Sequence, residues 1–395
     1  MEKYKHFSLS KPVSVPLPKI FFRMRVVQYI AYYPPHIGGL ESHAAQRAQR
    51  WMQEWCGECL IATYSIGQPT TLTYQHDQVT VVVIPAFEII PTFPFPKFWT
   101  SEYRQAHRLI KEFAPDILIT RTRFFLASLF GALFAKWHRI KRVHIEHGVD
   151  YVKLNTWWKN ALAWLYDQTI GRCIFHRADQ IIGISEGCKR FVSHFTDREV
   201  EVIYRGLDSA IQPNPIAPGV EQFALCSVGR LTALKGIDVL LYALKLVIEQ
   251  GRTNIHLTLI GDGEEKQKLE LLSQQLWLEA WVTFAGYQTK TALEQTYYPR
   301  MHIILNTSYQ EWLPTSVVEW LLAQCIVVAT QVGGTPEISD QPDLILVAPG
   351  DRYALAECIQ KAIDGYAVHA WKSREHVLQK FSRATNIRRY QKSLS

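Results

Sequence analysis

The sequence predicts an α/β chain of two doubly wound domains, each a parallel sheet covered by helices. Three observations carry that expectation. Short, nearly continuous apolar runs rich in β-branched residues alternate with helical patterns, as strands buried on both faces do. The alternation halts at one proline-dense stretch and then restarts. A length of 395 residues with 48 % hydrophobic content suffices for two sizeable cores.

Taken in order, residues 1–23 are polar and punctuated by prolines, a loose arm without the pattern of a secretory signal. The first domain spans 24–210. Its strands are expected at MRVVQYIAY (24–32), CLIATYS (59–65), VTVVVIPA (79–86), DILIT (116–120), RVHIEH (142–147), QIIGIS (180–185) and EVIYR (201–205). IQPNPIAPG (211–219) packs three prolines into nine residues and is the linker. In the second domain, 220–372, strands are expected at FALCSVG (223–229), IHLTLIGDG (255–263), WVTFAG (281–286), HIILNTS (302–308), CIVVAT (325–330) and LILVAPG (344–350). Residues 373–395 close the chain with a helix. The apolar block FFLASLFGALFAKW (124–137) falls short of the roughly 20 residues a bilayer-spanning helix needs.

Charge is unevenly spread. Net charge is +7; residues 1–218 carry 26 Lys and Arg against 18 Asp and Glu, and the remainder 17 against 18. The basic first half favours an anionic partner, a phosphate-bearing substrate or an anionic lipid surface, and no nucleic acid is expected. Seven scattered cysteines without framework spacing point to a reduced, cytoplasmic setting. WMQEWCGEC (51–59) has the look of a thioredoxin motif, but Cys56 and Cys59 end a helical pattern and precede a strand, the reverse of what lowers a thiol pKa, so buried thiols are expected. No second cysteine pair completes a zinc site.

The loops after the strands decide which ligand such sheets bind. Neither G-x-G-x-x-G nor G-x-x-x-x-G-K-[ST] follows a strand, which disfavours dinucleotide oxidoreductases and P-loop hydrolases. Gly38 and Gly39 instead precede a helix, where the backbone can approach an anion. Arg230 and Lys235 follow the first strand of the second domain, a planar fork and a point charge suited to a diphosphate. Positive charge at a helix start is otherwise disfavoured. Gly261 lies in a tight turn that is either structural or lines the ligand cleft, and Gly286 precedes Tyr287, an aromatic suited to a base. In YQEWLPTSVVEWLLAQ, Pro314 suits a first helical turn, which leaves Glu311 on the loop and Glu319 inside the helix. A carboxylate among apolar neighbours needs a partner, and a vicinal diol such as that of ribose is a natural one.

SVGRLTALKG, LIGDG, FAGY and NTSYQEWLPTSVVEW followed by VVATQVGGTPE stand in the order and spacing of the retaining family 4 glycosyltransferases. YYPPHIGGLE, IEHG and ADQIIGISE resemble elements of that family's acceptor domain. The resemblance covers roughly residues 24 to 390. It implies the GT-B fold, two Rossmann-like domains facing a deep cleft that closes on the donor, with the C-terminal helix crossing back to the first domain. It implies that Arg230 and Lys235 hold the diphosphate of a UDP- or GDP-sugar and that Glu319 binds the ribose. Glu311 and His147 lie by the reacting sugar, Gly38 and Gly39 close over the phosphates, and Thr315 belongs with the substrate-binding residues. No metal or separate cofactor is implied, and the acceptor is a glycan or lipid-linked glycan in polysaccharide or glycolipid assembly.

The chain departs from the family where small residues are common. Trp320, Leu322, Gln324 and Ile326 are expected to reshape the donor-sugar pocket or its backing; Trp312 and Arg205 stand for a frequent Gly and Asn. The charged positions are intact, so an active enzyme is expected. A silent binding subunit and a nucleotide-sugar epimerase are the alternatives. Core packing is expected for Phe124–Phe134. TWWKNALAWLYDQTIGR, with Trp157, Trp158 and Trp164, and the cations Arg139, Lys141, Arg142, Lys153 and Lys159, suit the inner face of a plasma membrane.

Overall fold

The computed structural model describes residues 24–34, 44, 45, 48, 57–66, 71–76, 78–90, 93–152, 156–207, 211, 213, 220–366 and 373–394. Gly38, Gly39, Cys56, Lys153 and most of the linker lie outside these residues. The chain divides into two compact units, Met1–Ile119 with Trp137–Lys141, and Thr120–Lys136 with Arg142–Ser395.

In the first unit β1 (Arg25–Ile30), β2 (Glu58–Tyr64) and β4 (Val79–Ile84) run parallel, with Val27 beside Leu60 and Ile61 beside Val81. They are the apolar runs of the sequence, and burial makes them so. Cys59 is buried in β2. β3 (Thr73–His76) closes the edge antiparallel to β4. VTVVVIPA does not end in one strand: after Pro85 a hairpin of β5 (Ala86–Ile90) and β6 (Phe93–Pro96) begins. The helix Ser101–Glu112 starts where the Thr100 hydroxyl accepts the Tyr103 N–H at 3.2 Å, and it buries Ala106 and Ile110. The boundary between the units falls inside β7 (Ile117–Arg121).

The second unit contains β8 (Lys141–Glu146, whose first residue counts to the other unit), β9 (Gln180–Gly183) and β10 (Val200–Val202), parallel in that order. The helix Leu126–His138 buries Leu126, Ala132, Phe134 and Ala135, so the core packing expected of that block holds. Arg142, expected on a free basic rim, is forked onto Asp179 at 3.0 and 2.6 Å.

A six-stranded parallel sheet follows: β11 (Phe223–Val228), β12 (Ile255–Ile260), β13 (Val282–Gly286), β14 (Ile303–Asn306), β15 (Ile326–Thr330) and β16 (Leu344–Val347). Their order is β13-β12-β11-β14-β15-β16. The chain thus moves outward from β11 one way and then reverses at β14. Ligands of such sheets bind beyond the carboxyl ends of the strands at that reversal. The helices Ile237–Glu249 and Arg352–Gly365 close one core against it, burying Leu240, Leu244 and Val247 with Leu355, Ile359 and Ile363. Each such side chain contributes about 1.5–3 kcal/mol. That packing fixes the strand ends on which the site is built.

The tail is two helices, Ser373–Phe381 and Arg383–Leu394, rather than the single one expected. Ser382 separates them because its hydroxyl accepts the Thr385 N–H at 3.2 Å and restarts the helix. The Leu207 N–H donates to the Phe381 carbonyl at 2.9 Å, and Tyr204 packs on the Phe381 ring.

Candidate active site

The loops after β11 and β14 meet at the reversal point. Thr307 donates its hydroxyl to the Lys235 carbonyl at 2.9 Å, and the Tyr309 N–H donates to the Leu234 carbonyl at 2.8 Å. On this clamp the Lys235 ammonium donates to Glu311 Oε1 at 2.6 Å, and the Ser308 hydroxyl reaches the same oxygen at 2.7 Å. Arg230 is exposed and forms no ion pair with a described residue. Beside the exposed Asp238 of the first helical turn, Glu311 pairs with Lys235 and leaves Arg230 as the cation without an ion pair to a described residue, just before the helix Ile237–Glu249. Its dipole adds to the attraction for an anion. Gly229, Arg230, Lys235 and Ser308 line one concavity there.

Pro314 caps the helix Thr315–Leu322, placing Glu311 on the loop and Glu319 within the helix, as the sequence predicts. Thr315 is its half-buried first residue. The Tyr298 hydroxyl donates to Glu319 Oε2 at 3.0 Å, while the Lys290 ammonium lies 4.0 Å from Oε1. Burial pushes the Glu319 carboxyl above its ordinary value despite the opposing pull of Lys290, Tyr298 and Arg205. A carboxylate held at that cost has spare capacity to accept hydrogen bonds. Trp320 is buried against the Tyr298 ring at 5.1 Å, Leu322 and Ile326 are buried, and Gln324 sits at the turn after the helix. Trp320 thus packs behind the tyrosine that donates to Glu319.

Glycines let these loops approach. A Cβ on Gly261 would overlap the Gly229 carbonyl oxygen, and the Gly261 N–H donates to the Gly286 carbonyl at 2.9 Å, so the ends of β11, β12 and β13 are laced together. A Cβ on Gly333 would overlap the Glu311 carbonyl oxygen, and the Gly334 N–H donates to the Trp312 carbonyl at 2.8 Å. The V-G-G segment thus braces the loop that carries Glu311. Tyr287 stands exposed beyond β13.

His147 ends the β8 strand-loop, buried, with its ring 6.3 Å from that of Trp312. Sequence reasoning missed what holds it. Glu146 is fully buried; its Oε1 accepts the N–H groups of His147 and Gly148 at 2.8 and 2.7 Å, and its Oε2 accepts the Arg123 N–H at 2.9 Å. The Arg123 guanidinium lies 3.5 Å from Glu146 and forks onto Asp167 at 3.0 Å twice. Burial would raise the Glu146 pKa; Arg123, His144 and the Gly148 N–H overturn that and hold it far below the carboxylate range. Glu337 was missed too: it accepts the N–H groups of Glu186 and Gly187 at 2.6 and 3.0 Å and the Tyr204 hydroxyl at 3.0 Å. The carboxylate inside the apolar run RVHIEH was the available signal for Glu146, and V-G-G-T-P-E that for Glu337.

Comparison with known proteins matches residues 37–210 to "Glycosyltransferase Family 4" and residues 222–364 to "Glycosyl transferases group 1". An uncharacterized glycosyltransferase of Methanocaldococcus jannaschii is 30 % identical over 330 residues, 80 % of this chain and 83 % of that one. The phosphatidylinositol N-acetylglucosaminyltransferase gpi3 subunit of Schizosaccharomyces pombe is 23 % identical over 361 residues, 89 % of this chain and 76 % of that one. Among solved structures, Anabaena HepE in complex with UDP superposes with a TM-score of 0.74 at 20 % identity, covering 94 % of this chain and 99 % of that one. With its parallel sheets and these relatives, the chain belongs to the family 4 glycosyltransferases of the GT-B fold.

Proposed function

We propose that the protein transfers a hexosyl group, with retention of configuration and without a metal, from a UDP- or GDP-sugar to a hydroxyl of a glycan or lipid-linked glycan. The observation that carries this reading is Arg230, without an ion pair among the described residues, beside the Lys235–Glu311 pair at the sheet's reversal point. Arg230 and Lys235 hold the diphosphate over the helix N-terminus, and Glu319 accepts from the ribose diol in place of the Tyr298 hydroxyl. In the reaction the bond from the anomeric carbon to the phosphate oxygen breaks and its electron pair goes to that oxygen. The two cations and the helix dipole stabilise the charge that develops. The acceptor oxygen bonds to the same face of the sugar, and its proton passes to the departing phosphate. Glu311 and His147 flank that sugar. A relative named for a phosphatidylinositol acceptor and a UDP-bound structural neighbour support the choice of acceptor and donor classes. Glycolipid or polysaccharide assembly at a cytoplasmic membrane face is the corresponding setting.

Incubation of the purified protein with UDP- and GDP-sugars tests the reading. Slow release of nucleoside diphosphate, and an anomer matching the donor when an acceptor is found, are expected. Interconversion of sugars without release marks an epimerase, and binding without turnover a silent binding protein; either overturns it.

A further inference from the structure

The helix Trp157–Tyr166 presents its apolar side outward. None of its ten residues is buried, although eight are apolar. At 100° per residue, Trp157, Trp158, Ala161, Leu162, Trp164 and Leu165 share one face. That face is the exposed one: Trp157 is 82 % exposed, Leu162 58 %, Trp164 53 % and Leu165 51 %. The polar Asn160 is among the less exposed residues. An ordinary surface helix has the opposite arrangement, and soluble proteins seldom leave such a contiguous apolar patch uncovered.

The face is firmly held. The helix runs on through a π-turn at Asp167–Gly171 into the helix Arg172–Arg177. At the junction buried Asp167 takes the Arg123 fork, and the Tyr166 hydroxyl donates to the Arg123 carbonyl at 3.2 Å. A helix of this length is marginal in water by itself; here its C-terminal end is fixed and the apolar face projects. Along the chain from 156 to 178 the exposed charged side chains are positive. Lys159 lies at its margin with its ammonium 5.4 Å from the Trp158 ring, and Arg172 is exposed one helix further on. Asp167, the one carboxylate between residues 156 and 178, is buried in its ion pair.

We propose that this helix seats the protein on an anionic lipid bilayer. It lies in the interface plane, with Trp157, Trp164 and Leu165 at the headgroup–acyl boundary and Lys159 and Arg172 toward lipid phosphates. Tryptophan favours that depth, and a helix about 15 Å long lies in a membrane surface rather than spanning it. Pairing with a second copy through the same face would bring like charges together.

Sedimentation of the full chain with vesicles tests this. In low salt the protein should sediment with vesicles of phosphatidylcholine and phosphatidylglycerol in equal parts, and less with phosphatidylcholine alone. The variant Trp157→Ser/Trp164→Ser/Leu165→Ser should lose at least about tenfold in partitioning, with melting temperature and nucleoside diphosphate affinity unchanged. Lys159→Glu should weaken binding to the mixed vesicles and leave phosphatidylcholine binding as it was. The proposal is overturned if the wild type stays in the supernatant or the triple variant sediments like it. It is equally overturned if analytical ultracentrifugation shows a lipid-free dimer that the triple variant converts to monomer, since a second copy is then the occupant.

Discussion

Glu146→Gln keeps the shape of a side chain and removes the charge from the most heavily bonded carboxylate near the site. An amide offers one acceptor oxygen where the carboxylate uses two. With that oxygen kept on the His147 and Gly148 N–H groups, its NH2 group confronts the Arg123 N–H, now 2.9 Å from a carboxylate oxygen. A buried donor left unsatisfied costs about 1–3 kcal/mol. Breaking one partner out of a buried ion pair costs about 3–5 kcal/mol, offset here because Asp167 keeps its fork on Arg123. A net loss of about 3 kcal/mol follows, or a fall in melting temperature of roughly 4–5 °C. The Glu146 pKa is depressed in the fold, so its contribution is present above the ordinary carboxylate value and is lost as pH falls through the native one. Wild type and variant should therefore differ fully at neutral pH and converge in acid. Since Glu146 also positions the His147–Gly148 backbone, kcat should drop by about tenfold or more in protein that remains folded. Melting curves from neutral to acid pH, with kinetics well below the transition, measure both. A melting temperature within about 2 °C of wild type at neutral pH would refute the reasoning.

Two further perturbations separate the roles of the carboxylates. If Glu319 binds the ribose as proposed, Glu319→Gln should mainly raise the donor's KM, because such a contact is alike in ground and transition states; an unchanged KM in steady-state kinetics contradicts this. Because burial raises the Glu319 pKa, its ionised form costs stability, a contribution that is favourable below the ordinary value and lost as pH rises; the Gln variant should melt no lower at neutral pH. By the same shift, donor KM should climb on the acid side at a higher pH than an ordinary carboxylate would give. Glu311→Gln should lower kcat by about 10²-fold if, as proposed, it removes charge beside the sugar where positive character develops; turnover equal to wild type contradicts it.

The second sheet was legible because its central strands are buried on both faces and keep unbroken apolar runs, as in IIL of β14 and IVV of β15, while β12 (IHLTLI) and the edge strand β13 (VTFAG) are still largely apolar. The edge strand β3, TYQH, alternates exposed and half-buried residues, and β6, FPFP, contains the prolines that ordinarily argue against a strand. Both were therefore invisible. Arg230, Lys235, Glu311 and Glu319 could be picked out because charge beside strand ends and inside an apolar helix stands out locally. Their partners could not: Tyr298 is 21 residues from Glu319, and Arg123 is 23 from Glu146 and 44 from Asp167. Such contacts depend on which strands and helices become neighbours, which periodicity does not encode. The outward apolar face of Trp157–Tyr166 was readable as composition, but only the fold decides which side of the helix faces solvent.

Whether Arg230 and Lys235 hold the diphosphate of a nucleotide sugar is decided by calorimetric titration with UDP and GDP. The wild type should bind one of the two. Arg230→Ala and Lys235→Ala should each weaken that binding by roughly 10- to 150-fold, the equivalent of about 1.5–3 kcal/mol for a hydrogen bond to a charged group; without nucleotide the melting temperature should be unchanged in Arg230→Ala and lowered in Lys235→Ala, which leaves Glu311 only the Ser308 hydroxyl. Affinities equal to wild type in both folded variants would contradict the account.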